Sequence, residues 1–240
     1  HFGVEDLHIA NRKLLEIAME DGFSPPVASR VYVYPHLSFY TALQAFYPDS
    51  LLDITAKING FPTHSPAKSK ADPELTALIC YWTIAKTLIF SENQALEAIQ
   101  NLESKAKELH FTEDVINDSK EFAKQFCDSV SLWIKKDNYA YTRTLDRYTS
   151  KKNPAHWSET PPDYTAGLEP NWPKIRRIIL DSSDSYVFTP LPPYSTDKKS
   201  PFYLMAEEVY QQAKILDSSL IQTAWYWDDN PFAMEVSGHF

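Results

Sequence analysis

Glycine and cysteine are scarce in this sequence, and several familiar catalytic motifs are missing. The 240 residues include only 5 Gly and 2 Cys, against 17 Pro. So few glycines leave little material for the tight turns of β-hairpins. Neither HExxH nor paired CxxC occurs, which excludes the common zinc sites. The patterns GxxxxGKS/T, GxGxxG and GxSxG are also absent, so these glycine-rich phosphate loops and a nucleophile elbow are excluded.

Clustered basic residues and long apolar runs are lacking as well. The net charge is −9 and no group of lysines and arginines stands out. Nucleic acid is therefore not expected as a partner, because phosphate contacts need clustered positive charge. The most apolar run, 75–90, is interrupted by Lys86 and is shorter than the roughly 18–20 residues that span a bilayer, so no transmembrane segment is predicted. The chain starts at His1 and shows no signal peptide, which suggests a processed or trimmed start.

Helical periodicity, in contrast, recurs along most of the chain. Apolar residues return every three or four positions, and no strand pattern of comparable strength appears. The run 75–90 is apolar on nearly all sides, which predicts a centrally buried helix. Helices are predicted over 4–19, 25–47, 75–90, 92–109, 112–134, 201–213 and 220–227, and 51–58 is compatible with one more short helix. Pro35 predicts a kink or break near Tyr34. The expected fold class is all-α.

Capping signals mark where several of these helices begin. A Ser or Asp followed by Pro supplies a side-chain cap and a preset φ at the first helical position. This signal occurs three times, at Ser24-Pro25, Asp72-Pro73 and Ser200-Pro201. A Ser followed three residues later by Gln predicts a capping box, as at Ser91 with Gln94 and at Ser219 with Gln222.

The composition changes after residue 152, where proline and aromatic residues become frequent. This part includes NPAHWSETPPDYTAGLEPNWP and PLPPYSTDKK. The prolines prevent one long helix or a central strand, whereas the Trp and Tyr rings indicate a segment ordered against a preformed surface. We therefore predict a multi-helix bundle over 1–152, which ends in a short helix or an extended segment at 137–152. We also predict that 153–240 is a long proline-rich ordered crossing followed by two helices packed on the bundle.

The polar residues and cysteines inside the bundle favour structural roles. Arg30 and His36 lie on the second predicted helix, where structural pairing is favoured over catalysis. Cys80 and Cys127 lie on apolar helix faces, which favours buried free thiols over a single disulfide. The residues by themselves assemble no complete catalytic set.

The candidates nearest to a site lie at the C-terminal end. Asp228 and Asp229 follow the last predicted helix, at the negative end of its dipole, which indicates a cationic or donor partner elsewhere. The simpler alternative is a polar helix exit preceded by core aromatic residues. His239 follows Ser237 and Gly238, a small flexible pair that allows close approach to a substrate.

Four segments resemble one enzyme superfamily, in that family's order. SPPVASRVYVYPHLSFYTAL at 24–43, TPPDYTAGLEPNWPKIRRIIL at 160–180, LPPYSTDKKSPFYLMAEEVY at 191–210 and AWYWDDNPF at 224–232 are similar to the amino-terminal half of vanadium-dependent haloperoxidases. These enzymes belong to the PAP2 (phosphatidic acid phosphatase type 2) superfamily, and the resemblance is strongest to secreted Bacteroidetes-type members. It implies a periplasmic or secreted enzyme that hydrolyses phosphate esters or oxidises halides with vanadate.

The resemblance also implies where the catalytic residues should be. The family holds a tetrahedral oxyanion with a Lys and two Arg, and uses a His to attack phosphorus or bind vanadate. Its K-x6-RP block is absent here, and Ser237-Gly238-His239 imitates its PSGH block with Val236 in place of proline. No catalytic, cofactor-binding or metal-binding residue is therefore expected in this chain, and the blocks are expected beyond Phe240.

Several further expectations follow from the same resemblance. Asp228, Asp229 and His239 are expected to lie beside the missing pocket. The full-length protein is expected to take vanadate or phosphate and a small oxyanion or phosphate-ester substrate, and a homo-oligomer is compatible with the sequence. The fragment alone is expected to be inactive.

A different class of function is a helical cell-envelope glycan-binding protein of the SusD-like type. Exposed aromatic rings stack on sugars, and Trp157 with Trp172 are the candidate pair for such a surface. The enzyme interpretation is favoured over this alternative.

Overall fold

The computed structural model describes residues 1–67, 70–162, 164–182 and 189–227. Within these residues the regular structure is helical and no strand occurs, which confirms the all-α prediction. The α-helices are α1 (Val4–Glu20), α2 (Pro25–Phe46), α3 (Pro73–Lys86), α4 (Glu92–Glu108), α5 (Glu113–Lys135), α6 (Tyr139–Thr142), α7 (Pro201–Lys214) and α8 (Ser218–Tyr226). Two short 3₁₀ turns lie at Thr55–Lys57 and Trp172–Lys174. Of the short helix considered over 51–58, only the 3₁₀ turn Thr55–Lys57 forms.

The three proline starts are confirmed, since α2, α3 and α7 each begin at the predicted proline. The side-chain cap forms at Asp72 and Ser200, but the Ser24 side chain makes no cap hydrogen bond. The Asp72 carboxylate accepts the Leu75 N–H at 2.8 Å, which caps α3. A kink or a break was predicted near Tyr34; the break is wrong, because α2 continues through Pro35 without interruption, and the kink stays a prediction. Pro35 is buried, and α2 packs against α3.

The two predicted capping boxes are wrong, although both helices form. The Ser91 hydroxyl donates to the Asp21 carboxylate at 2.6 Å instead of capping its own helix. Asp21 also accepts the backbone N–H of Phe90 at 2.7 Å, so a residue at the end of α1 anchors the residues that lead into α4. In α8 the cap is Asp217, whose carboxylate accepts the Leu220 N–H at 2.8 Å. An acidic side chain thus engages the Ser91 hydroxyl at α4, and an acidic residue earlier in the chain takes the cap position at α8.

Helix α3 is the centre of a compact unit formed by residues 1–148 and 164–182 of the described chain, here called unit 1. It contacts α2, α4 and α5. The side chains from Leu75 to Trp82 are all buried, as the all-round apolar pattern predicts. Cys80 and Cys127 are both buried and free, as expected.

A second compact unit, unit 2, comprises 149–162 and 189–227 of the described residues. Its helices α7 and α8 contain no buried residue. Tyr194 packs edge-on against Phe202 at a centroid distance of 5.2 Å. The expectation that 153–240 packs on the bundle stays a prediction. Among the described helices, none combines the length and the apolarity needed to cross a membrane.

Candidate functional site

The three predicted pocket residues, Asp228, Asp229 and His239, lie outside the described residues. The described chain reaches them through α8, which ends at Tyr226. Their proximity to a pocket therefore stays a prediction. The polar groups that the structure does bring together belong to unit 1, and their geometry decides what they can do.

The most deeply buried charge of unit 1 is Asp137, which follows α5 and is 1% exposed. Its Oδ2 accepts the Nε–H of Arg30 at 2.7 Å and the hydroxyl of Tyr34 at 2.9 Å. Its Oδ1 accepts the backbone N–H of Tyr139 at 2.8 Å. Arg30 is thus paired structurally, as predicted. Sequence analysis did not single out Asp137, whose partners on α2 lie more than a hundred residues away.

The Tyr139 ring extends this cluster, because guanidinium groups approach it from two residues. The Arg30 and Arg143 Cζ atoms lie 4.4 and 4.7 Å from the ring centroid. Arg143 also forms a bidentate ion pair with Glu169, in which Nη1 donates to Oε1 at 2.8 Å. This pair joins the turn after α6 to segment 164–182. The arrangement neutralises each charge with a protein group.

Arg176 fixes segment 164–182 to the end of α5. Its Nη1 donates to the Trp133 carbonyl at 2.8 Å, and its guanidinium lies 3.8 Å from the centroid of the Trp133 ring system. Its backbone N–H donates to the Asp137 carbonyl at 2.8 Å. Within the described residues, the Arg176 Nε and Nη2 atoms are buried without a hydrogen-bond partner. Stacking on the indole offsets part of that cost.

The Asp137 cluster is suited to holding the fold rather than to catalysis. Burial, and then the neighbouring Asp137 carboxylate, raises the pKa of Tyr34 to about 12, so the phenol stays protonated and donating at neutral pH. Both oxygens of Asp137 are already bonded to protein donors. A general base needs an accepting atom within reach of a substrate proton, and this carboxylate is buried away from any substrate.

A second polar contact joins His64 to Ser129 on α5. The His64 Nε2 lies 2.8 Å from the Ser129 Oγ, and the imidazole stacks on Phe126 at 4.0 Å. The Ser129 hydroxyl donates to the Phe126 carbonyl at 2.8 Å, so in the contact with His64 it accepts and His64 donates. An activated serine nucleophile needs the opposite polarity. This contact is therefore structural.

His36 has a local partner. Its Nδ1 lies 2.7 Å from the Tyr32 carbonyl one turn earlier in α2, and its ring packs edge-on against Tyr81 at 5.2 Å. The structural pairing predicted for His36 is confirmed.

Unit 1 also has a surface groove of about 590 Å³ between α1 and α4. Ala10, Trp82 and Leu102 contribute apolar lining, and an ion pair between Asp6 and Lys105 joins the two helices. Charges of both signs line the groove. Among the described residues, no three His, Cys, Asp or Glu side chains are grouped so that they could hold a metal ion. His8 and Glu5 lie 3.9 Å apart along the groove, and both side chains are exposed to solvent.

A solved structure decides the family. The chain is similar to the crystal structure of the first bacterial vanadium-dependent iodoperoxidase, with a TM-score of 0.84 and 32% sequence identity over 97% of this chain. The chain belongs to the vanadium haloperoxidase and PAP2 superfamily. The predicted family membership is confirmed. No protein-family model and no curated protein matches the chain.

This superfamily member spans only part of its relative. It covers 58% of the length of the iodoperoxidase chain. The catalytic Lys, Arg and His blocks expected beyond Phe240 stay a prediction, as do vanadate binding, the substrate and the location in the cell.

The described residues do not themselves fit a vanadate or phosphate ion. An oxyanion site needs several cationic donors that point at one open position. The guanidinium groups of Arg30 and Arg143 are instead engaged by Asp137 and Glu169, and that of Arg176 lies against the indole of Trp133. These arginines hold unit 1 together.

Proposed function

We propose that this chain is the amino-terminal scaffold of a vanadium haloperoxidase-like enzyme whose oxyanion-binding residues lie beyond Phe240. The observation that carries the proposal is the match to a vanadium-dependent iodoperoxidase at 32% identity over nearly the whole chain. The ion pairs of Arg30 with Asp137 and of Arg143 with Glu169 support placing the catalytic Lys, Arg and His elsewhere.

The reaction we propose for the full-length protein is vanadate-dependent oxidation of halide, with iodide as the first halide to test. The named activity of the similar structure supports this choice over hydrolysis of a phosphate ester. Vanadate and phosphate are both tetrahedral oxyanions, so the same guanidinium forks and imidazole hold either one. Phosphatase activity is therefore the second candidate. By family resemblance the protein is periplasmic or secreted.

In this proposal Asp228, Asp229 and His239 lie beside the oxyanion pocket without binding the ion. Their place in the sequence supports the assignment, because Asp228 and Asp229 come just after α8 and His239 lies near the end of the chain, before the expected catalytic blocks. Alanine at Asp228 or Asp229 is expected to lower kcat/KM for iodide in the full-length enzyme, with vanadate still bound. Loss of vanadate binding instead would show that these residues hold the ion directly.

The glycan-binding alternative is less well supported. Trp172 packs edge-on against Tyr139 at 6.5 Å within unit 1, which commits part of its ring to the protein. The structural match to an iodoperoxidase favours the enzyme.

The test compares the full-length protein with residues 1–240. After loading with orthovanadate, the full-length protein is expected to form triiodide from iodide and hydrogen peroxide, whereas residues 1–240 remain inactive. p-Nitrophenyl phosphate is assayed in parallel without vanadate. Hydrolysis without halide oxidation would replace the first candidate by the second, and turnover by residues 1–240 alone would show that the site has been misplaced.

A further inference from the structure

Helices α7 and α8 carry many apolar side chains and bury none of them. Side chains that would normally enter a core are instead exposed: Leu204, Met205, Val209, Ile215, Leu220 and Trp225. Val209 is 71% exposed and Trp225 is 73% exposed. Monomeric proteins rarely leave so much apolar surface in one place unless something binds there.

The sequence of α7 is that of a helix covered on more than one side. Phe202, Met205 and Val209 follow one another at three and four residues, which places them on one face. Leu204 lies on the other side of the same helix. A helix that is apolar on opposite sides is normally buried between neighbours.

The two helices are also too short to be stable without such neighbours. They contain 14 and 9 residues. Isolated helices below about 12–15 residues are marginal in water, and most helical stability in proteins comes from packing of an apolar face. Their end caps, at Ser200 and Asp217, are worth only about 1 kcal/mol each.

We propose that α7 and α8 form the surface on which the rest of the enzyme chain packs. The occupant is the segment that corresponds to the part of the iodoperoxidase not spanned by this chain, and it presents apolar helix faces. The similarity covers 97% of this chain but 58% of the iodoperoxidase, so the related fold includes additional chain that can supply this cover. The inference rests on the proposed function only in assuming such a longer chain.

The first experiment measures amide hydrogen exchange in the full-length protein and in residues 1–240. Peptides from 201–227 are expected to exchange at least about 100-fold more slowly in the full-length protein, because burial raises the free energy of local opening. Peptides from α3 serve as the internal control and exchange equally in both proteins. Protection of 201–227 already present in residues 1–240, or absent from both proteins, would overturn the proposal.

The second experiment uses two valines of matched exposure. Val209 on α7 is 71% exposed and Val4 on α1 is 72% exposed. In residues 1–240, both Val209→Glu and Val4→Glu are expected to leave the melting temperature unchanged. In the full-length protein, only Val209→Glu is expected to accelerate exchange of 201–227, by about 10-fold or more, since a carboxylate would then face an apolar partner. Equal behaviour of the two variants there would contradict the assignment.

Two further measurements test the proposal against alternatives. One distinguishes the proposed occupant from a second copy of the chain, and the other distinguishes the packing surface from the proposed activity. If sedimentation shows that residues 1–240 dimerise, and exchange of 201–227 slows as the dimer forms, a second copy is the occupant and the proposal is wrong. Protection gained in a full-length protein that does not oxidise iodide supports the surface while refuting the proposed reaction. Oxidation of iodide without protection of 201–227 supports the reaction and refutes the surface.

Discussion

At the scale of single residues, Asp137 has the largest structural role among the charges of unit 1. It accepts hydrogen bonds from Arg30, Tyr34 and the backbone of Tyr139 while being almost fully buried. Removing one member of a buried ion pair costs more than the pair itself contributes, because the remaining charge is left without a partner.

Asp137→Ala is therefore expected to lower the free energy of unfolding by about 3–5 kcal/mol, measured by urea denaturation. The matched control is Asp128→Ala on α5, an exposed position where the change should stay within about 0.5 kcal/mol. A loss below 1 kcal/mol for Asp137→Ala would show that the cluster does not hold unit 1 together.

His64 makes the stability of unit 1 depend on pH. Burial lowers its pKa below the ordinary value of 6.5, so the folded protein favours the neutral imidazole. Unfolding then takes up a proton at mildly acidic pH. The contribution of His64 is fully present above pH 6.5 and is lost as the pH falls through the lowered folded pKa.

We expect His64→Gln to flatten the acid side of the stability curve between pH 6.5 and 5. One proton accounts for a slope of at most about 1.4 kcal/mol per pH unit. Urea unfolding at several pH values measures the slope of stability against pH. His8→Gln, at an exposed position of α1, is the control and should keep the slope; an unchanged slope in His64→Gln would assign the pH dependence to another group.

At the scale of elements, the start of α3 illustrates how local chemistry sets a helix boundary. The Asp72 Oδ1 accepts the Leu75 N–H at 2.8 Å, whereas at the start of α5 the Thr112 hydroxyl accepts the Val115 N–H at 3.4 Å. The longer contact is beyond the usual range for this bond and stabilises less.

Asp72→Ala is expected to lower the free energy of unfolding by about 1–2 kcal/mol, and Thr112→Ala by about 0.5 kcal/mol. The difference is measured by denaturant titration of the two variants under the same conditions. If both variants lost the same free energy of unfolding, hydrogen-bond length would not determine how much each cap stabilises the protein.

The helices were predictable because their signals are local. A Ser or Asp followed by Pro identified the starts of α2 and α7 to the residue, and that of α3 to within two residues. The pairing of Asp137 with Arg30 was not predictable, since 107 residues separate them and neither neighbourhood shows a motif. For the same reason the contact of Asp21 with Phe90 and Ser91 was not predicted. The candidate site residues lie outside the described chain, so their placement stays a prediction.

At the scale of the whole molecule, the two units differ in the buried core that stabilises each of them. Unit 1 has a continuous core centred on α3, and segment 164–182 returns to it through Arg176 and through Ile178, whose carbonyl accepts the Asn59 N–H at 2.8 Å. The helices of unit 2 have no buried residue. Cooperative unfolding requires a shared core, so only unit 1 should show a sharp transition.

Truncated chains measure how much segment 164–182 and unit 2 each contribute to thermal stability. Residues 1–182 are expected to melt at the temperature of the main transition of residues 1–240. Residues 1–148, which lack segment 164–182, should melt about 5 °C or more lower, as expected for a loss of about 2 kcal/mol in a domain of this size. Circular dichroism follows both. If residues 1–182 melted far below the 240-residue chain, unit 2 would be contributing to the core.

The carboxylate of Asp21 joins the end of α1 to the residues that lead into α4. It accepts the backbone N–H groups of Phe90 and Ser91 and the hydroxyl of Ser91, about 70 residues later in the chain. These groups precede the first turn of α4, which begins at Glu92. The entry into α4 is therefore tethered to α1, and a chain without α1 loses the acceptor that holds residues 90 and 91 in place.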